Sequence, residues 1–116
     1  YSNIIMLDPI YNQKEIDVLR SNCHIYIHSH SQCGTAPSLV EAMNLDNAII
    51  SFDVATNRVT TGNKAFYFND KKSLISILEN TSINEIDKNR KDMTEVSKDS
   101  YTWNRISNLY SNLFIN

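Results

Sequence analysis

Four short apolar runs, set between more polar stretches, constrain this chain more than any other feature. They are Ile4-Ile-Met-Leu7, Ile25-Tyr-Ile-His28, Ala48-Ile-Ile-Ser-Phe52 and Ala65-Phe-Tyr-Phe68. Strands that are apolar throughout, rather than alternating, belong to a parallel sheet with both faces covered. Parallel neighbours need crossovers, and helical signals supply them. Asn12-Gln-Lys-Glu15 reads as a helix start, with Asn12 as cap, Glu15 reaching back, and Ile16 and Leu19 on the buried stripe. A helix from Pro37 to about Asn44 presents Leu39, Val40 and Met43 to a core. Pro37 suits its first position because the missing N–H would be an orphan there.

Further along, Asn69 or Asp70 caps a helix carrying Leu74, Ile75, Ile77 and Leu78. Ser82-Ile-Asn-Glu85 is a capping box that opens a polar helix with Ile86, Met93 and Val96 on one side. Trp103, Ile106, Leu109, Tyr110 and Leu113 recur at helical spacing in the last segment, and the aromatic stripe of Tyr101, Trp103 and Tyr110 reads as core. Strands alternating with helices and then two helices without a strand between them predict half of a doubly wound α/β domain. With 116 residues and no repeat, low-complexity tract or Gly/Ser linker, residues 1–116 read as a single domain.

The stretch from His28 to Met43 is the candidate site. It reads as a strand end, a polar loop and a helix start, and it contains one of the two glycines (Gly34) and one of the two prolines (Pro37). Amides at such a junction point outwards beside the positive end of the helix dipole, where a phosphate can be held. Glu41, one turn into the helix, can accept hydrogen bonds from ribose hydroxyls. The two together suggest a nucleotide ligand.

Charge narrows the options. The net charge of −2 gives no general attraction to nucleic acid or anionic lipid. Residues 1–62 hold three basic side chains (Lys14, Arg20, Arg58) against six acidic ones. A phosphate site there must use backbone amides or borrow cations. Cys23 and Cys33 are too few for a disulfide framework and lack zinc-finger spacing, which fits a reducing cytosolic setting. No run approaches the ~20 apolar residues of a membrane span, and no signal-peptide pattern is present. The absence of an initiator Met and the early strand suggest a piece of something longer.

Leu19-Arg-Ser-Asn-Cys-His-Ile-Tyr-Ile-His28, Gly34-Thr-Ala-Pro-Ser-Leu-Val-Glu-Ala-Met43, Ala48–Asp53, Ala65–Phe68 and the closing Trp103–Phe114 resemble the C-terminal, nucleotide-sugar-binding domain of GT-B glycosyltransferases. The likeness is to bacterial family 4 enzymes that build polysaccharides such as capsule or lipopolysaccharide, including the rhamnosyltransferase-like group. It implies a partial Rossmann-like parallel sheet of about four strands with two C-terminal helices. It also implies a full-length hexosyltransferase that moves a sugar, rhamnose among the candidates, from a nucleotide diphosphate to a glycan or lipid-linked glycan.

By that resemblance His30, Gly34, Thr35, Ala36, Ser38 and Glu41 form the donor site, with Glu41 on the ribose and the Gly34–Ala36 amides on the sugar and diphosphate. The family's first motif Glu falls at Cys33 here. No metal or other cofactor is implied, and no residue of this segment is assigned a catalytic role. The acceptor site and the basic pair for the diphosphate would lie on earlier segments, so this piece is expected to be inactive alone. Two family strands between Ile4–Leu7 and Ile25–His28 are also missing, which leaves a sheet edge open to self-association. The full-length enzyme would be cytoplasmic or membrane-peripheral.

Other readings are set beside this one. A non-enzymatic α/β nucleotide- or phosphate-binding regulatory module is the alternative. His28, His30 and Cys33 suggest a zinc site, though a fourth ligand is not evident, and histidines hydrogen-bonded at a strand end are the plainer reading. Cys33 near a helix start suggests a Cys–His hydrolase. Arg58, in the loop after Asp53, either lines the pocket or lies at the surface.

Overall fold

The computed structural model describes residues 2–32 and 34–115. Strands β1 (Ile25–His28), β2 (Ala48–Phe52) and β3 (Phe66–Phe68) form a parallel sheet in the order β1-β2-β3. Tyr26 stands beside Ile49, and Ile50 beside Phe66. Six helices accompany them: α1 (Gln13–Ser21), α2 (Pro37–Asn44), α3 (Ala55–Thr60), α4 (Lys71–Asn80), α5 (Ile83–Ser100) and α6 (Trp103–Phe114). The protein is α/β, with three strands among the described residues where about four were expected. Ile4–Leu7 forms no strand and is 57–88% exposed. An apolar run becomes a strand only beside a partner, and no described strand pairs with it.

Alternation along the strands sorts their side chains between two covers. Tyr26 and Ile49 face α2 and α5, where Leu39, Ala42, Met43 and Met93 complete a dry core. Each large apolar side chain buried there contributes about 1.5–3 kcal/mol. On the opposite face Ile25, Ile50 and Phe66 meet Ile77 and Leu78 of α4. Asn89 of α5 completes the short strand β3. Its Oδ1 accepts from Ile49 N–H at 2.8 Å and its Nδ2 donates to Lys64 O at 2.9 Å, below the point where β3 begins.

Four helices start on a side-chain cap. Asn12 Oδ1 accepts from Lys14 and Glu15 N–H, without the reciprocal bond expected from Glu15. Asp70 with Ser73, and Ser82 with Glu85, close full capping boxes. Thr102 caps α6. The starts of α2 and α3, at Ala36 and Val54, have no side-chain cap.

Other expectations are corrected by burial. Leu19 is half exposed and Ile16 only partly covered, because α1 packs on the rim of the sheet beside β1. The stripe on α6 is not core. Trp103 is 85% exposed and Tyr110 largely so, because no described helix or strand packs extensively against α6. Tyr101, just before α6, turns inward, its hydroxyl donating to Thr60 O at 3.0 Å, and Ile106 is partly covered.

Helix α3 replaces the loop read after Asp53. Its end carries the signal that the sequence reading passed over. Gly62 takes a left-handed φ of 59° just past the helix, and Asn63 N–H returns to Arg58 O at 2.8 Å. A Cβ on Gly62 would also approach Val96 Cγ2 at 3.1 Å.

Candidate donor-binding edge of the sheet

The carboxyl ends of β1 and β2 and the starts of α2 and α3 meet at one edge. Polypeptide leaving parallel strands turns there, and helix amides project from it. In the first turn of α2, Pro37 has no N–H, and Leu39 and Val40 N–H both turn back to Ala36 O. Ser38 N–H makes no hydrogen bond among the described residues. The Ala36 side chain is packed into the core, so this residue offers only backbone to a ligand. Gly34 opens on space: a Cβ there would meet nothing within 4 Å.

Gly34 and Thr35 form one wall of an open depression of about 330 Å³, and Ala55, Thr56 and Val59 of α3 form the other. Glu41 does not line it. It points to the other side of α2, where Arg20 of α1 donates through Nη1 to Glu41 Oε2. Thus Gly34 and Thr35 lie together, Ser38 stands at the helix start between the two sides, and Glu41 occupies the far side. Cys33 lies outside the described residues, and so do the zinc and nucleophile readings that need it. Among the described residues no group of three or more His, Cys, Asp or Glu side chains is placed to hold a metal ion.

The two histidines share one face, as their spacing predicts, with ring centroids 4.9 Å apart. His30 is exposed, whereas His28 is 2% exposed and its Nε2 has no hydrogen-bond partner among the described residues. That corrects the expectation of hydrogen-bonded histidines at the strand end. Burial, and then the neighbouring His30, push the His28 pKa down, favouring the neutral ring.

The arginines nearest this edge are both engaged. Arg20 holds Glu41, and Arg58 grips Asp53 through Nε at 2.5 Å and Nη2 at 2.8 Å. The second pair lowers the Asp53 pKa and raises that of Arg58, chiefly through the side-chain hydrogen bond. Arg58 also lies 4.1 Å from the centre of the Tyr67 ring. These pairs leave amides as the groups free to meet an anion. Asn57 is the polar residue that sequence reasoning missed. Fully buried on α3, it donates to His30 O at 2.9 Å and to Phe52 O at 3.0 Å.

No protein-family model, curated protein or solved structure matches this chain. No described helix is long and apolar enough to cross a membrane.

Proposed function

We propose that this chain is the donor-binding part of a glycosyltransferase that takes a sugar from a nucleotide diphosphate, with a Rossmann-like sheet of the GT-B kind as its frame. The observation that carries the reading is the start of α2. It lacks a side-chain cap, opens beside an unobstructed Gly34, and has a carboxylate one turn in. A sugar nucleotide would lie across it. The sugar would rest in the depression between Gly34, Thr35 and α3, and the diphosphate over the Ser38 amide. The ribose hydroxyls would meet Glu41, whose free carboxylate oxygen remains available while Arg20 holds the other.

In this role the protein holds and orients the donor, while helix-end amides stabilise charge on the departing diphosphate. The acceptor glycan and the catalytic groups come from another domain. His30, exposed beside the loop, would contact the donor from the strand side.

Titration with UDP, GDP and TDP, followed by amide NMR, tests the proposal. We expect shifts at Gly34, Thr35, Ser38 and Glu41 at millimolar nucleotide or below, and weaker binding in Glu41→Ala. Losing a charged hydrogen-bond acceptor should cost about tenfold in affinity. If no nucleotide moves any of these amides at millimolar concentration, the reading is wrong and the regulatory module becomes the better one.

A further inference from the structure

We infer that Asn57 is the positioning residue of the donor site: its carboxamide ties the loop after β1 to α3 and so fixes the width of the depression. The inference rests on the donor-site reading and adds a residue absent from it. Both hydrogens of Nδ2 are used, one on His30 O at 2.9 Å and one on Phe52 O at 3.0 Å. His30 lies four residues before Gly34, which begins one wall of the depression, and Ala55, Thr56 and Val59 of Asn57's own helix make the other. Phe52 O is the last carbonyl of β2. One buried group on the helix that forms one wall therefore holds both the end of β2 and the loop that leads to the other wall.

The other end of the same amide explains why the tie has a single orientation. Asn57 Oδ1 is buried without a partner among the described residues, an arrangement that proteins seldom tolerate. Rotating the amide would turn that oxygen onto two carbonyl oxygens and lose both hydrogen bonds. The residue accepts one idle acceptor in exchange for two fixed donors. An aspartate of the same shape would have no hydrogen to give, and the wall that begins at Gly34 would be free to move relative to α3.

The wild-type chain provides the first test. On adding UDP, the Asn57 side-chain NH2 resonances should shift with the same concentration dependence as the Gly34 and Thr35 amides, although Asn57 is too buried to touch the nucleotide. The side-chain resonances of Asn89, a buried amide in the tie to Ile49 and Lys64, should stay still and serve as the control for a general change in packing. Asn57→Asp should bind UDP about tenfold more weakly, the equivalent of one or two lost neutral hydrogen bonds, while the Leu39 and Met43 methyl shifts keep their wild-type positions.

If Asn57→Asp fails to fold, the wild-type titration decides. Gly34 and Thr35 responding while the Asn57 side chain stays still, or Asn57→Asp binding as tightly as wild type, would overturn the inference and leave the donor site standing. If UDP moves none of residues 34–41, the donor reading fails and this inference fails with it.

Discussion

Helices α4 and α5 begin on their own side chains, whereas α2 and α3 begin on none. At α5, Ser82 Oγ accepts from Glu85 N–H and Glu85 Oε2 accepts from Ser82 N–H, so both orphan donors are closed locally. At α2, Ala36 has no side-chain acceptor and Leu39 at the third position has none to return, and the Ser38 amide has no partner among the described residues. The scaffold helices are self-sufficient at their ends. The helix at the candidate site is held from its sides and left open at its start. A helix start built this way costs the fold a cap, about 1 kcal/mol, and recovers stability through packing.

The strongest challenge to that contrast is Leu39→Ala. Leu39 is fully buried on α2, and if packing rather than capping holds this helix, its truncation should cost about 2–5 kcal/mol in chemical denaturation. A loss under 1 kcal/mol would mean that α2 is anchored some other way. A finer comparison sets Ser82→Ala against Ser38→Ala. The first opens the α5 capping box and should cost about 1 kcal/mol. The second touches a serine that caps nothing and should stay within about 0.5 kcal/mol of wild type. Equal effects would erase the distinction.

Acid provides the smallest and most selective perturbation. Hydrogen bonds from Ser73 hold the Asp70 carboxyl below its ordinary range, and hydrogen bonds from Ser82 do the same for Glu85. A carboxyl whose folded pKa is depressed stabilises the fold fully above its unfolded value, near 4 for both residues. That stabilisation is lost as pH falls through the lower folded value. Thermal unfolding followed from pH 6 to pH 2 should therefore show α4 and α5 weakening below about pH 4. Asp70→Asn should flatten part of that slope. The start of α2 has no capping carboxylate to lose.

The legible parts of the molecule were those governed by local chemistry. Strand β1, helix α2, the Ser82 capping box and a cap at Asp70, one of the two residues offered for it, follow from apolar runs, a proline and polar residues at fixed offsets, and they lie where those signals put them. Ile4–Leu7 misled because a strand is made by its partner as much as by its residues. Trp103 and Tyr110 misled for the matching reason: spacing reveals an apolar stripe but not what covers it. Helix α3 was missed because Ala-Thr-Asn-Arg-Val-Thr lacks an apolar stripe, and its inward residues are Asn57 and Thr60. At the candidate site, the strand end, loop and helix start around Gly34 and Pro37 were readable from the sequence. The opposed directions of Glu41 and the Gly34 wall, and the Asn57 tie, depend on contacts between residues far apart in the chain.

The Asn89 link from α5 back to Ile49 has a consequence for the order in which the protein is made. The three strands leave the ribosome before the helix that covers one of their faces. Synthesis of the stretch from Phe52 to Ser100 takes about 2–10 s at ordinary elongation rates. For that interval Tyr26 and Ile49 lack the α5 side of their cover, and the Ile49 amide lacks its acceptor. A sheet that formed before α5 would keep that face open until Asn89 and Met93 arrive.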